Sequence, residues 1–396
     1  MAAEVLAAAG LAVTVYEHMP SVGRKLLLAG RSGLNITHNE PLDDLLARYG
    51  PGAGHLATAI RAFGPPELRS WCGSLGETTF VGSTGQVFPA SLRATPLLRA
   101  WLARLDSTGV SIEVRHRWLG WATTPDGEFD VRTSLFGRVD GSTVEVNGDV
   151  TVLALGGASW PRVGSDGGWV TELRRVGVEV NELRAANCGM RVGWTAHFAE
   201  RFARVPLKNV AVTVAGRSVR GDVMITASGI EGGPIYAHSA AIRDSIDRDG
   251  RCTVTFDLHP DITVESVRDR LDRRRPKDSL ATSLRRTIGL TAVAIALLRE
   301  ATGNRAPVDP AELAELVKAV PFVIEKTMSI ERAISSAGGI AFAQLDETFM
   351  LRSLPGTFVA GEMIDWEAPT GGYLLQASFS TAVAAAHGAL AWLERV

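Results

Sequence analysis

The chain is 396 residues long, with 46% hydrophobic and 21% charged residues, which excludes a disordered or fibrous protein and predicts two or three folded domains. A formal net charge of -2 gives no long-range attraction to nucleic acid or to a membrane surface. Three widely spaced cysteines, Cys72, Cys188 and Cys252, exclude a zinc cluster or disulfide framework and fit a reducing cytoplasm.

The first residues lack the charged-then-apolar order of a signal peptide. Outside them the longest apolar stretch is read around Leu290 to Leu298, about half a membrane span. A soluble cytoplasmic protein with no membrane partner is expected, and no metal site.

In chain order, Ala2 to Ala9 has strong helical bias, and Gly10 ends it as a C-terminal cap does. Leu11 to Tyr16 is β-rich and closes on Glu17. Helix, glycine, strand and acid form the second half of a βαβ nucleotide-binding unit. No glycine-rich phosphate turn precedes the helix, so the unit is expected to be entered halfway, without its first strand and its pyrophosphate donors. Gly23 to Asn39 is glycine-punctuated and basic, a loop against a ligand. Residues 43–75 read as helical, broken at Gly50–Gly54 and at Pro65-Pro66. Short strands follow between Val110 and Glu145, with turns at Pro125-Asp126-Gly127 and Asp140-Gly141. Asp149 to Leu155 is a buried strand of the parallel kind.

Between Ala186 and Phe256 short alternating strands suggest a small β-barrel-like domain. Residues 261–320 turn helical, with Pro310 opening a late helix, and the run Arg273-Arg274-Arg275-Pro276-Lys277 reads as a solvated helix end or loop. The end of the chain returns to strand, glycine loop and alanine-rich helix. The fold class is therefore α/β: a discontinuous Rossmann-like domain (1–185 and 335–396), a β-barrel-like domain (186–258 and 321–334) and a helical insert (259–320).

Chemistry concentrates in five segments. Glu17 sits where an acid accepts hydrogen bonds from ribose hydroxyls, although acids at strand ends are commonly just solvated. Arg24, Lys25, Gly30, Ser32, Gly33 and Asn35 combine close-approach glycines with cations, suited to phosphate or carbonyl oxygens. Gly85 to Ser91, and Gly156 and Gly157 after the apolar strand, place small residues beside strands. The strongest segment is Gly361 to Tyr373. Gly361-Glu362 ends a buried strand with an acid for ribityl hydroxyls. Thr370, Gly371, Gly372 and Tyr373 open a long helix whose N-terminal N–H groups suit the pyrimidine edge of a flavin.

On these segments the chain resembles bacterial flavoproteins of the glutathione-reductase-like FAD superfamily, in the branch of aminoacetone-oxidase-like and dehydro-bile-acid-reductase-like proteins. The likeness runs through Glu17, Gly23-Arg24-Lys25, Gly30 to Asn35, Gly85 to Ser91, Leu155 to Ser159 and Gly361 to Tyr373. It implies FAD as cofactor, hydride transfer through flavin N5, a small organic substrate, NAD(P)H as a candidate electron donor and oxygen as a candidate acceptor. Two departures restrict what carries over. Gly33-Leu34-Asn35 stands where many relatives have Arg-Cys-Asn, and Thr226-Ala227 stands where relatives often have Thr-His. No catalytic side chain is assigned, and His38, Tyr236 and Tyr373 are candidates for proton handling. The alternatives are a truncated, weakly FAD-binding homologue acting as a scaffold, and a flavin-dependent nucleic-acid-modifying enzyme, which the net charge disfavours. The oligomeric state is left open.

Overall fold

In the computed structural model, which describes residues 1–396 apart from Arg31, Ser32, Pro276 and Val396, the alanine- and leucine-rich start forms the helix Ala2–Ala8. Gly10 follows with φ +86°, the left-handed end that glycine adopts without strain. The chain divides into two compact units, Met1–Arg184 with Ile334–Val396, and Ala185–Ala333.

In the first unit Thr14–Glu17 pairs in parallel with Ser111–Val114, and Thr151–Leu153 in parallel with Thr357–Val359. These are two separate two-stranded sheets among the described residues. After Ser111–Val114, the strands His116–Thr123, Phe129–Arg138 and Thr143–Asn147 form an antiparallel meander. The helices Leu42–Ala47, Ala53–Ala62 and Pro65–Ser74 break at the glycines and prolines that signalled the breaks. The segment 23–39, expected as a loop, instead contains the helix Arg24–Ala29. Its Arg-Lys-Leu-Leu-Leu-Ala sequence is made of good helix formers, and Gly23 enters it at φ +72°.

The C-terminal helix Tyr373–Leu393 runs 21 residues. Among the described residues it, and not Leu290 to Leu298, is the helix long and apolar enough to cross a membrane, but 56% of its apolar window is buried inside the protein. Interspersed Gln376, Ser380 and Thr381 concealed that run in the sequence. Ala377, Ala385, Ala386 and Ala389 are fully buried, and their small size lets the helix lie against Ala2–Ala8, Ala53–Ala62 and Thr357–Val359. Its buried polar groups are satisfied: Gln376 Nε2 and Ser380 Oγ both donate to the Phe63 carbonyl, and Thr37 Oγ1 donates to Gln376 Oε1.

The second unit is built on a six-stranded antiparallel sheet in the order Met190–Arg191, Gly229–Glu231, Arg217–Thr226, Pro206–Val214, Cys252–Asp257, Val320–Ile324. Its two edges approach through the chain after the last strand. Arg191 N donates to Lys326 O at 2.9 Å and Met328 N to Gly189 O at 2.8 Å, which gives the barrel-like closure. Gly229 sits in this seam, where a Cβ would lie 1.9 Å from Met190 O. Helices Ala196–Phe202 and Ser239–Asp249 also occur here, in a stretch whose alternation suggests short strands. Ile242 and Ile246, four residues apart on Ser239–Asp249, are helical periodicity that the flanking alternation masked.

Four further helices, Val264–Asp272, Leu280–Ile288, Ala292–Ala301 and Pro310–Lys318, each begin on a side-chain cap: Thr263, Ser279, Thr291 and Asp309. Each such cap stabilises its helix by about 1 kcal/mol. Their inner faces (Leu284, Leu297, Leu298, Leu313) share one core with Val254 and Phe256 of the sheet. The arginine run at 273–275 lies between two of these helices, with Arg273 and Arg275 exposed.

All three cysteines are buried, Cys72 completely. Burial, helped by the charge of Glu77, pushes the Cys72 thiol up to about 12. A thiol reagent at neutral pH is therefore expected to label none of them in the native protein and all three after denaturation. Rapid labelling of the native chain would show that these cores open.

Candidate functional site

The first unit brings together residues from four distant parts of the chain. Gly23 packs so closely on the helix Ala94–Ser107 that a Cβ would lie 2.6 Å from Leu98 Cδ2. That contact fixes the start of Arg24–Ala29 and places Lys25 in its first turn. A cation there opposes the helix dipole and favours an anionic partner.

The partner is Glu362, whose Oε2 is 2.5 Å from Lys25 Nζ. Glu362 follows the fully buried strand Thr357–Val359 at the turn made by Gly361, φ +76°. Gly361 is itself tied down, donating to Thr381 Oγ1 and accepting from Trp366 Nε1, both at 3.0 Å.

Around this ion pair lies a serine shell. Lys25 Nζ also donates to Ser159 Oγ at 2.8 Å and Ser165 Oγ at 3.2 Å. Ser336 N donates to Glu362 Oε1 at 2.8 Å, and Ser336 Oγ accepts from Ala158 N at 2.8 Å. All three serines are buried. Gly157 is required at this junction, since a Cβ would stand 2.3 Å from Ser336 Oγ.

Ser165 and Ser336 escaped sequence reasoning. The available signal was Ser335-Ser336-Ala337-Gly338-Gly339, a strand of small residues with polar side chains at inward positions.

Glu17 Oε1 accepts from Met19 N at 2.8 Å. It lies beside Gly164, φ +110°, where a Cβ would sit 3.8 Å from that oxygen and 3.0 Å from Met19 Cγ. Gly156, φ +72°, accepts from Trp169 Nε1 at 2.8 Å. Two polar atoms of the basic segment, Arg24 Nε and Asn35 Oδ1, are buried without a hydrogen-bond partner among the described residues. Buried orphans of this kind call for a ligand or water. With a carboxylate that still has free lone pairs at Glu362, they suit the hydroxyls, phosphates and heteroatoms of FAD. Ser32 lies outside the described residues.

Other expected positions have a packing role visible in the structure. A Cβ on Gly30 would meet Ala94 Cβ at 2.6 Å, and Gly33, φ +111°, faces the Phe88 ring at 3.5 Å. Gly371 has φ +133° and Gly372 φ +95°. A Cβ on Gly372 would come within 2.6 Å of the N, Cα and C atoms of Thr37. The helix start is thus pressed against the strand Thr37–His38, with Thr370 half-buried just before it and no side-chain cap on its first N–H groups.

The Tyr373 ring is buried. Its hydroxyl donates to Glu40 Oε1 at 2.7 Å, Tyr49 donates to the Tyr373 carbonyl at 2.8 Å, and His38 stacks on the Tyr373 ring at 5.3 Å. Arg48 completes the group, 2.7 Å from Glu40 Oε2. Burial pushes Glu40 up, but hydrogen bonds from Arg48 and Tyr373 outweigh it and hold the carboxyl below its usual 4.5. Tyr236 lies in the second unit, half-buried. The hydroxyl proton of Tyr373 is engaged with Glu40.

All four tyrosines have raised pKa values, with burial the first cause in each. Groups raised above the ordinary 10.0 add stability that is full below pH 10 and is lost as pH climbs past it. Glu40, being lowered, adds stability above its ordinary value that is lost as pH falls through it. Tyr49 and Tyr373, whose rings are buried, are therefore expected to ionise only with unfolding in an alkaline titration. Full tyrosinate absorbance near pH 10 in the folded chain would contradict the burial of those two rings.

An open groove of about 820 Å³ runs past His38, Glu40, Arg61, Glu67 and Arg69. It shares no residue with the Lys25–Glu362 cluster. Among the described residues no group of three or more histidine, cysteine or acidic side chains could hold a metal.

A family model described as the HI0933-like protein Rossmann domain matches residues 1–388. The 3-dehydro-bile acid delta(4,6)-reductase of Clostridium scindens is 26% identical over 391 residues, covering 95% of this chain and 92% of that protein. The ribosomal RNA dihydrouridine synthase of Haemophilus influenzae is 23% identical over 388 residues, covering 96% and 93%. Among solved structures, 3-ketosteroid delta1-dehydrogenase from Sterolibacterium denitrificans superposes with a TM-score of 0.51 at 13% identity, covering 98% of this chain and 97% of that one. At that identity the likeness speaks for the fold alone.

Proposed function

The chain belongs to the HI0933-like Rossmann-domain family and is an FAD-dependent oxidoreductase, and from that premise we propose that it reduces a carbon–carbon double bond conjugated to a carbonyl in a small organic molecule, with NAD(P)H as electron donor. FAD, which Glu17 and Glu362 would help to hold, would supply the hydride-transfer chemistry between the nicotinamide and the substrate. The overall change is NAD(P)H, a proton and the double bond going to NAD(P)+ and the saturated product.

The observation that carries this reading is the near full-length similarity to a delta(4,6)-reductase. The site supports it: Glu362 and Glu17 offer carboxylates to cofactor hydroxyls, and the uncapped start of Tyr373–Leu393 offers N–H groups to a carbonyl edge.

A second reading is favoured by similarity to a dihydrouridine synthase, whose product also arises by adding two hydrogens beside a carbonyl. In that reading the substrate is a uridine in RNA. Charge supports it more than the total of -2 suggests, since residues 185–333 carry 22 Lys and Arg against 18 Asp and Glu, and the remainder 19 against 25.

The test is anaerobic. The FAD-loaded chain is expected to bleach with NADPH or NADH, and its flavin colour to return on adding a 3-oxo-4-ene steroid, with a product two hydrogens heavier. Return of colour with uridine-containing ribosomal RNA and not with the enone selects the second reading. A reduced flavin that neither compound reoxidises overturns both.

A further inference from the structure

We infer that Lys25 is a positioning residue that acts on the cofactor only through Glu362. The inference rests on the flavin reading above and deepens it.

An ammonium has three N–H donors and no more. Those of Lys25 are all taken: Glu362 Oε2 at 2.5 Å, Ser159 Oγ at 2.8 Å and Ser165 Oγ at 3.2 Å. Nothing is left for a phosphate or a flavin carbonyl. Glu362 is in the opposite condition. One oxygen takes Lys25 and the other takes Ser336 N, so about two of roughly four acceptor positions remain open.

The carboxylate is gripped from both sides and still able to receive hydroxyls. The grip is indirect but stiff. Ser159 and Ser336 are themselves buried, and Ser336 Oγ is held by Ala158 N. Gly157 leaves no room for Ser336 to shift, because even a methyl there would meet its hydroxyl. Lys25 thus fixes the rotamer of Glu362 before a ligand arrives, which lowers the cost of ordering it on binding. The basic segment, which by sequence suggests a phosphate contact, places this lysine on the acid instead.

FAD titration of the full chain, followed by flavin fluorescence, tests this with Lys25→Met, Glu362→Gln and the double variant. Each single change is expected to weaken FAD about 10- to 100-fold, the effect typical of removing a group that orients a ligand-binding residue. The double variant is expected to bind within about twofold of Glu362→Gln alone, because Lys25 has no other route to the cofactor.

Losses that multiply in the double variant would show that Lys25 touches FAD independently and would overturn the inference. So would unchanged affinity in Lys25→Met. Lys25→Gln, which keeps donors for the serines and removes the charge, serves if the methionine variant does not fold, and the same cycle applies to it. Should the unsubstituted chain show no saturable FAD binding, the flavin reading itself falls, an outcome distinct from multiplicative losses in a chain that does bind.

Discussion

Glu362→Ala is expected to weaken FAD by at least about 100-fold, the largest functional effect of any single change in the first unit. The carboxylate can accept two ligand hydroxyls, and charge-assisted hydrogen bonds contribute about 1.5–3 kcal/mol each, where 1.4 kcal/mol is tenfold. Its removal also strands Lys25. That ammonium retains only Ser159 and Ser165, and its side chain is 31% exposed. Solvent therefore screens much of the cost, and the fold should lose about 1–2 kcal/mol, not the larger penalty of a fully buried orphan charge. Fluorescence titration and thermal melting separate the two effects. Affinity equal to that of the unsubstituted chain would show that Glu362 is not a ligand.

Gly372→Ala should produce a large loss of stability. The position has φ +95°, and the added Cβ would come within 2.6 Å of three backbone atoms of Thr37. Left-handed backbone alone costs a non-glycine residue about 1 kcal/mol. Displacing a backbone neighbour adds the strain of overpacking, about 1–3 kcal/mol, for a total of about 2–4 kcal/mol. The shift would propagate, since Thr37 Oγ1 donates to Gln376 and Gln376 to Phe63 O. Chemical denaturation should show a lower midpoint for the first unit. By contrast Gly10→Ala, at φ +86° with nothing within 4 Å, should cost only the backbone term. Equal effects of the two substitutions would refute the close-packing role of Gly372.

The parts of this fold that could be read in the sequence are those where local chemistry and tertiary structure agree. The Gly10 cap, the breaks at Gly50 and Pro65, the turns of the meander and the strand leading to Gly361-Glu362 each carry their own signal. The segment 23–39 misled because its glycines suggest a loop, whereas Arg24 to Ala29 has the propensity to be helical between them. The C-terminal helix was recognised, but its length of apolar surface was not, because its buried polar residues find partners only in the folded state, at Phe63 O and Thr37. For the same reason Ser165 could not be picked out: its importance lies in meeting Lys25 across 140 residues of chain, and that of Ser336 in meeting Glu362 and Ala158. The glycines divide in an instructive way. Gly30 and Gly372 read as ligand glycines in the sequence, yet each is also demanded by a protein neighbour, Ala94 and Thr37. A close approach of backbone is legible in sequence, but what approaches is not.

Hydrogen–deuterium exchange of the full chain with and without FAD tests the site most directly. Protection is expected in the segments carrying Glu17, Lys25, Gly156 and Glu362 and at the start of Tyr373–Leu393. No protection in those segments at saturating FAD, or protection confined to residues 185–333, would contradict the placement of the cofactor on the Lys25–Glu362 cluster.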